Sequence, residues 1–238
     1  MAFGDGRTEV ASDTFDSSID SNWDNGYAAW QILIFVTGGH LTATGSGGLT
    51  AGMRRNTGTY AADQYSAVTY QDVTDAVNDA WIGALVRCEP TSTIDESCYM
   101  GRFLAENGAV DTYQIIEVDA TLTLNVLVSV NAPEAPSAGD IISIEVESST
   151  ITVGTDASGA NFAVASTNDN TISGSGKRPG AAAFFATGET AELTAWSGGD
   201  VSSYALVRVQ IETDTFTSID GDWTNGVGDY NKDRKSVV

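Results

Sequence analysis

The sequence feature that most constrains the fold is a motif near the N-terminus that recurs 201 residues later, at residue 214 against residue 13. Residues 13–26 align with residues 214–226 when one single-residue gap is allowed. An interval of this length matches one all-β sandwich and is far longer than a solenoid repeat. We therefore interpret the chain as a lead-in (1–12), one complete domain (13–204) and the start of a second copy (205–230). The shared positions are Asp13 and Asp214, Phe15 and Phe216, Ile19 and Ile219, Asp20 and Asp220, Trp23 and Trp223, Asn25 and Asn225, and Gly26 and Gly226.

Residues 231–238 break the repeat, and we interpret them as a non-native tail. They include Asp233-Arg-Lys-Ser-Val-Val238, which resembles the in-frame translation of a common sequencing-adapter oligonucleotide. This resemblance indicates a truncated environmental (metagenomic) read as the source. The tail is therefore left out of the fold prediction.

The chain is strongly acidic, with 32 Asp and Glu residues against 11 Lys and Arg residues and a formal charge of −21. Phosphate binding needs clustered Lys and Arg, so this composition argues against a nucleic acid partner. No stretch approaches the roughly 18 apolar residues of a membrane helix, so membrane insertion is not expected. The first seven residues have neither the basic region nor the apolar run of a secretory signal. We predict an extracellular or virion-surface location, without a secretory signal in this sequence.

Short β-rich segments recur along the whole domain and predict an all-β, antiparallel sandwich. They are rich in Val, Ile, Thr, Tyr and Phe, and they are separated by Gly, Asn, Asp and Ser. No segment shows a sustained helical period. The predicted strands are 30–36, 40–44, 64–73, 80–88, 98–105, 112–119, 121–130, 140–147, 149–154, 161–166, 181–186, 190–196 and 203–211.

Six short motifs occur in an order that resembles a known family. They are Asp13-x-Phe15…Trp23, Asp63-Gln-Tyr-Ser, Gly83-x-x-Val-Arg87, Gly139-Asp140-x-Ile-x-Ile-Glu, Arg178-Pro-Gly180 and Ala195-Trp196-Ser-Gly-Gly199. Together they resemble the concanavalin A-like lectin/glucanase (laminin G-like) jelly rolls, and more closely the tandem modules of bacteriophage and environmental proteins. The resemblance covers about residues 9–200 and implies a jelly-roll β-sandwich. It does not select one activity, because this fold includes glycan-binding modules, hydrolases, lyases and virion adhesion domains.

Glycan binding in a sandwich needs aromatic faces for sugar rings and planar hydrogen-bonding groups beside them. Alternation along one predicted strand would put Trp81 and Arg87 on the same face. The candidate ligand-binding residues are Trp81, Arg87, Tyr99, Arg102, Tyr113 and Gln114. The alternative is that the aromatic residues belong to the core and that the arginines offset the acidic surface.

A structural calcium ion (Ca²⁺) is the one cofactor that the resemblance implies. Jelly rolls of this type often tie the N-terminal segment to the last strand through a hard cation held by carboxylates and backbone carbonyls. The candidate ligands are Asp13, Asp16 and Asp200, with Asp20 and Asp24 close to the first two in sequence. Ordinary Asx turns explain the same aspartates without a metal, and both interpretations stay open.

The sequence offers little support for catalysis. Glu117-Val-Asp119 is similar to the carboxylate series of laminarinase-type hydrolases, but Thr121 and Leu122 stand where the series would continue. His40 is the single histidine, whereas lyases of this fold commonly pair a His and a Tyr with Arg and Gln. We interpret the two acids as exposed strand residues and His40 as a surface or capping residue. No catalytic residue is assigned, and whether the protein is an enzyme stays open.

Cys88 and Cys98 flank a predicted loop, 89–97, between two predicted strands. Neighbouring strands lie about 4.8 Å apart, so a disulfide between the two residues is sterically feasible. Two cysteines are too few for a disulfide framework or a zinc site. Without a secretory signal, we predict two buried free thiols.

We predict first a non-catalytic glycan-binding or adhesion module, repeated in tandem in a larger virion or cell-surface protein. Each copy would bind a polysaccharide or host glycan weakly, and several copies would gain avidity. One alternative is a polysaccharide hydrolase or lyase of the laminarinase or alginate-lyase type. Another is a purely structural virion or fibre repeat. The apolar anchors of the second copy predict either a mobile segment or self-association by docking on another copy.

Overall fold

The computed structural model describes most of the chain up to residue 202. The described residues are 4, 6–15, 19, 21–25, 33–36, 39–43, 51–74, 78–90, 97–157, 162–172, 174, 176–184 and 189–202. The chain divides into two units, Met1–Ser203 and Tyr204–Val238, and all described residues belong to the first. The predicted second copy (205–230) and the predicted tail (231–238) lie outside the described residues.

The described part of the chain forms fifteen strands and no helix, which confirms the predicted all-β fold. No helix that could span a membrane is found in that part. The strands are β1 (Arg7–Asp13), β2 (Trp23–Asn25), β3 (Leu33–Val36), β4 (His40–Ala43), β5 (Ala51–Arg55), β6 (Gln64–Thr74), β7 (Ala80–Cys88), β8 (Cys98–Ala105), β9 (Thr112–Val118), β10 (Leu124–Asn131), β11 (Ile141–Glu147), β12 (Thr150–Thr155), β13 (Phe162–Asn168), β14 (Arg178–Phe184) and β15 (Thr190–Val201).

The strands pair into two antiparallel sheets. The eight-stranded sheet has the order β13-β12-β11-β6-β15-β4-β3, with β1 also paired to β15. The seven-stranded sheet has the order β10-β9-β8-β7-β14-β5-β2. Strands far apart in sequence are neighbours in both sheets, since β6 pairs with β15 and β7 with β14. This exchange of distant strands is typical of a jelly roll.

The sequence pattern does not predict β1, β2 and β5. Strand β1 (Arg7–Asp13) lies mostly in the expected lead-in. Its side chains are largely polar and exposed, so the sequence shows no strand pattern there. It nevertheless pairs with β15 along most of its length. A Cβ added at Gly199 would lie 2.0 Å from the carbonyl oxygen of Thr8, so glycine is needed for this close approach. Strand β5 follows directly on a run of glycines that suggests a loop.

The main core lies between the two sheets. On β7, Ile82, Ala84 and Val86 face this core and are fully buried. Burying a side chain of the size of Ile stabilises the fold by roughly 1.5–3 kcal/mol. A Cβ added at Gly101 would lie 2.9 Å from the Cβ of Ile144 in the other sheet, so glycine lets the sheets pack closely here.

A second apolar cluster lies on the outer face of the seven-stranded sheet, the face turned away from the other sheet. Because both faces of β7 are packed, all nine of its residues are buried and its sequence reads as a continuous apolar run. The cluster consists of Trp81, Leu85, Cys88, Cys98, Met100, Leu104, Ile116, Val118 and Ala182.

Three residues of the repeated motif, Asp13, Phe15 and Trp23, form what we call the N-terminal clasp. Asp13 accepts hydrogen bonds from the backbone N–H of Phe15 (2.9 Å) and the indole N–H of Trp23 (2.8 Å). The Trp23 ring packs edge-on against Trp196, with ring centroids 4.7 Å apart, and the Arg55 guanidinium lies 5.1 Å from the Trp23 centroid. All three clasp residues recur in the second copy of the motif, as Asp214, Phe216 and Trp223.

Cys88 and Cys98 are both fully buried free thiols in the second apolar cluster, in line with the prediction. Burial raises the pKa of the Cys98 thiol, and a hydrogen bond with Cys88 acts in the same direction. The thiol therefore stays protonated and poorly nucleophilic at neutral pH. We expect a thiol reagent to label neither cysteine in the native protein and both cysteines in denaturant without a reductant. Finding no reactive thiol in denaturant would show a disulfide instead.

Candidate functional site

Trp81, Arg102 and Gln114 lie together on the outer face of the seven-stranded sheet. They come from the adjacent strands β7, β8 and β9, in which Gly83 pairs with Arg102 and Arg102 pairs with Gln114. A Cβ added at Gly83 would lie 3.1 Å from the Cβ of Arg102, so this glycine leaves room beside the arginine. The sequence analysis selected all three residues for their chemistry, but only the strand register brings them side by side.

Arg102 and Gln114 form a fixed hydrogen-bonded pair. Arg102 donates from Nε (2.9 Å) and from Nη2 (2.6 Å) to Oε1 of Gln114. Gln114 donates from Nε2 to the hydroxyl oxygens of Thr112 and Ser129, both at 3.1 Å. These bonds hold the amide with its oxygen towards the arginine. Neither hydroxyl was predicted, because Ser129 reaches the site only through the pairing of β9 with β10.

Trp81 is packed by its protein neighbours and leaves almost no surface for a ligand. Phe184 on β14 is nearly parallel to it, with a centroid separation of 5.8 Å and an interplanar angle of 9°. On the side of β8, the Arg102 guanidinium lies 5.1 Å from the Trp81 centroid. The side chain is 3 % exposed. Trp81 therefore orients Arg102 through a cation–π contact rather than offering a free face to a sugar ring.

Arg102 is a buried cation with a neutral partner. Its exposed fraction is 8 %, and burial lowers its pKa to about 10, while the charges of Glu106 and Asp79 act in the opposite direction. The guanidinium is therefore still charged at neutral pH. Among the described residues, no carboxylate lies within ion-pair distance of it. Burying a charge without an opposite charge is costly, which marks Arg102 as a residue with more than a packing role.

Arg87 does not share a face with Trp81, so that prediction is wrong. The register of β14 against β7 shifts at this point, and Arg87 has a left-handed φ of 55°. The resulting bulge turns its side chain inwards, where it donates to the carbonyl oxygens of Ala62, Ser148 and Ile172. A bulge reverses the facing of a side chain, which alternation alone cannot anticipate. Arg87 is a structural clamp and does not line the outer face.

Tyr99 and Tyr113 belong to the core between the sheets and are fully buried. The Tyr99 hydroxyl donates to a carboxylate oxygen of Asp169 and accepts from the backbone N–H of Ile172 at 3.0 Å. Burial raises the pKa of Tyr113 to about 12. The candidate tyrosines therefore lie on the face of the sheet opposite to Arg102. For these two residues, the alternative that the aromatic side chains belong to the core is the correct one.

The proposed calcium ligands are not gathered around one point. In the pairing of β1 with β15, Asp13 lies opposite Trp196 and Asp200 lies opposite Thr8. The backbone positions of the two aspartates are therefore five residues apart along β1, or roughly 16 Å at 3.3 Å per residue. Asp13 instead holds the clasp, and Asp200 accepts a hydrogen bond from the Ala61 N–H at 2.7 Å. One ion cannot bind both residues.

The other aspartates give no alternative metal site in the part of the chain that the structure describes. Asp24 is engaged by Arg54, which donates to it from Nε and Nη2. Asp16 and Asp20 lie outside the described residues. No group of three His, Cys, Asp or Glu side chains suitable for a metal is found among those described.

The residues considered for catalysis are separated from Arg102 and Gln114. His40 lies in the eight-stranded sheet, where its Nδ1 is 3.1 Å from Oε2 of Glu192. This acid is 152 residues away in sequence, so no local pattern indicated it. Glu117 follows Ile115 by two residues on β9, so its side chain points to the same side of the sheet, towards the core between the sheets. Burial raises the pKa of Glu117.

Asp119 has a turn-forming role beyond the end of β9. Its Oδ1 accepts hydrogen bonds from the backbone N–H groups of Thr121 (2.8 Å) and Thr123 (3.0 Å) and from the Thr121 hydroxyl. The side-chain hydrogen bond from Thr121 is the largest of several that lower the pKa of Asp119. Glu117 and Asp119 therefore do not form the carboxylate pair of a retaining hydrolase on the outer face.

No protein-family model and no curated protein matches the sequence. Solved structures do match, among them a legume lectin-like domain from Entamoeba histolytica, with 12 % identity, a TM-score of 0.56, and coverage of 82 % of this chain and 99 % of that chain. The Ca²⁺/Man-bound exoplasmic/lumenal domain of VIP36 has 10 % identity, a TM-score of 0.56, and coverage of 82 % and 92 %. A Bacillus licheniformis β-glucanase has 12 % identity, a TM-score of 0.54, and coverage of 80 % and 97 %.

The chain has the concanavalin A-like jelly-roll fold. The neighbours include both lectin-like domains and a glucanase, and at these identities the likeness is one of fold. Function therefore has to be argued from the side chains that this concanavalin A-like domain places on its surface. In the described residues, the Arg102–Gln114 pair is the strongest candidate.

Proposed function

We propose that this domain is a non-catalytic glycan-binding module. The observation that carries the proposal is the Arg102–Gln114 pair on the outer face of the seven-stranded sheet. Its two planar groups are held in one orientation by Thr112, Ser129 and Trp81, so little side-chain entropy is lost when a ligand binds. Fixed planar donors and acceptors are the groups that orient sugar hydroxyls and carboxylates in binding sites.

The fold neighbours support this proposal. The Entamoeba domain is lectin-like by its title, and the VIP36 domain is a mannose-bound form. A glucanase also shares the fold, so hydrolysis is the competing function. Recognition is favoured over catalysis because His40 is in the other sheet, Glu117 is in the inward-facing phase and Asp119 forms a turn.

The repeated clasp motif supports the further proposal that the module occurs in tandem on a virion or cell surface. A single site formed by one arginine and one amide offers few contacts and should bind weakly. Linked copies would then raise the overall avidity by roughly 10²–10⁴ without any new contact. Asp214, Phe216 and Trp223 are the residues of the second copy that would form the next clasp.

A glycan array combined with a reducing-sugar assay tests this function. We expect the purified protein to bind at least one polysaccharide class without releasing sugar, and we expect Arg102→Met to weaken the binding by at least roughly tenfold. The control is Arg7→Met, because Arg7 pairs with Glu145 on the eight-stranded sheet and should not contribute. Release of reducing sugar that is lost in Glu117→Gln would show a hydrolase instead. An array without any binding would favour the structural repeat.

A further inference from the structure

The guanidinium of Arg102 has one hydrogen-bonded edge and one free edge. A guanidinium carries five N–H donors in a rigid fork. Nε and one N–H of Nη2 donate to Gln114, which leaves both N–H groups of Nη1 and the second of Nη2. Nη1 makes no hydrogen bond within the described chain, and it is not among the buried atoms that lack a partner, so it is in contact with solvent. The free edge, Nη1 with Nη2, is therefore the part of the site that a ligand reaches.

Arg102 also differs from the other well-buried arginines of the described chain in its charge balance. Each of the others has a carboxylate within 4.0 Å, whereas Arg102 has an amide. These pairs are Arg54 with Asp24 (2.6 Å), Arg55 with Asp13 (3.9 Å) and Arg87 with Asp63 (3.7 Å). In a chain with 32 acidic residues, an uncompensated buried arginine is the exception that calls for an external partner.

The shape of the site favours a projecting anionic group over a stacked sugar ring. Trp81 is 3 % exposed and packs against Phe184 and Arg102, so it offers no open aromatic platform beside the arginine. With 8 % of Arg102 exposed, only its free edge is accessible. A planar group with two oxygen atoms matches that edge and can accept two parallel N–H···O bonds.

We propose that the glycan recognised at this site carries a carboxylate, as a uronic acid does, and that the free edge of Arg102 binds that carboxylate. This proposal rests on the proposed function and specifies the chemical class of the ligand. Gln114 positions the arginine and leaves its charge without a partner until the ligand supplies one. The specificity is thus for the charge of the sugar, and it is set by having an amide rather than an acid at position 114.

Calorimetry with paired polymers tests the proposal. The probes are polygalacturonate, polymannuronate and hyaluronan, each beside its carboxyl-reduced neutral form. We expect the wild-type protein to bind at least one acidic polymer at least about tenfold more tightly than its neutral form, as charge-assisted hydrogen bonds predict. Gln114→Glu would give Arg102 an internal carboxylate at the same distance and is expected to bring this ratio close to one.

Two further variants separate loss of binding from loss of fold. Arg102→Met should weaken binding of the acidic polymer by roughly 10- to 100-fold, and Arg7→Met should bind like the wild type. The melting temperature of Gln114→Glu should not fall, because it completes a buried ion pair. If Gln114→Glu is about as stable as the wild type, its loss of preference for the acidic polymer is not caused by a folding defect.

The outcomes distinguish failure of this proposal from failure of the proposed function. Binding of neutral glycans with no preference for acidic ones overturns the carboxylate assignment and leaves glycan binding intact. Dextran sulfate is added as a sulfated probe, and tighter binding to it than to all three uronate polymers has the same consequence. An acidic preference that survives both Gln114→Glu and Arg102→Met also overturns it. Absence of binding to every polymer here and to every glycan on the array overturns both.

Discussion

Replacing Arg87 by methionine is expected to lower the melting temperature of the domain by roughly 10 °C. Arg87 is 2 % exposed and donates to the carbonyl oxygens of Ala62 (2.9 Å), Ile172 (2.9 Å) and Ser148 (2.7 Å). Methionine fills a similar volume but donates nothing, so three carbonyl groups lose their partner. We estimate a loss of about 3–5 kcal/mol in the free energy of unfolding, which gives this shift for a domain of this size. Thermal unfolding followed by circular dichroism measures it.

Arg178→Met is the matched control for this experiment. Arg178 is partly exposed and makes one longer hydrogen bond, 3.3 Å to the carbonyl oxygen of Arg55, so its loss should shift the melting temperature by about 2 °C or less. The left-handed backbone at position 87 is equally strained for arginine and methionine, so it does not bias the comparison. Equal shifts in the two variants would contradict the clamp role of Arg87.

Trp196→Ala is expected to destabilise the domain by a similar amount. Trp196 is 2 % exposed, its indole N–H donates to the Ser66 hydroxyl at 2.8 Å, and its ring supports Trp23 of the clasp. Removing a fully buried tryptophan costs about 3–5 kcal/mol, or roughly 10 °C in the melting temperature. Urea unfolding with a fixed m-value gives the change in the free energy of unfolding directly.

A series at the same position separates packing from hydrogen bonding. Trp196→Phe keeps an aromatic ring against Trp23 but loses the N–H donor, so we expect roughly a third to a half of the loss seen with alanine. Because the two rings touch, Trp23→Ala and Trp196→Ala should be less damaging together than the sum of their separate effects. Strict additivity would show that the clasp and Trp196 stabilise the domain independently.

The fold class could be predicted from the sequence because its main signals are local. Runs such as 80–88 and 98–105 are too apolar and too rich in β-branched and aromatic residues for loops, and a segment with Pro, Ser and Asp separates them. These two strands are found with the predicted bounds. The repeated motif shares Phe15 and Trp23 among turn residues, and both side chains are buried, as shared apolar residues in such a setting indicate. The weakly patterned strands, β1 above all, were missed because pairing rather than composition makes them strands.

The site was only partly predictable. Trp81, Arg102 and Gln114 were selected for their chemistry, and they do lie together, but their contacts could not be foreseen. Phe184 covers Trp81 because β14 inserts beside β7 from about 100 residues further along the chain. This neighbour changes Trp81 from an expected sugar platform into a support for the arginine.

The sequence by itself determined the all-β class, the position of most strands, the buried anchors of the repeated motif and the acidic character of the surface. The tertiary structure decided which side chains meet. A bulge turned Arg87 inwards, the pairing of β1 with β15 separated Asp13 from Asp200, and long-range pairing left Arg102 with an amide for a partner. The physical reason is that strand register is set by contacts between distant segments, and a shift of one residue moves a side chain to the opposite face of the sheet.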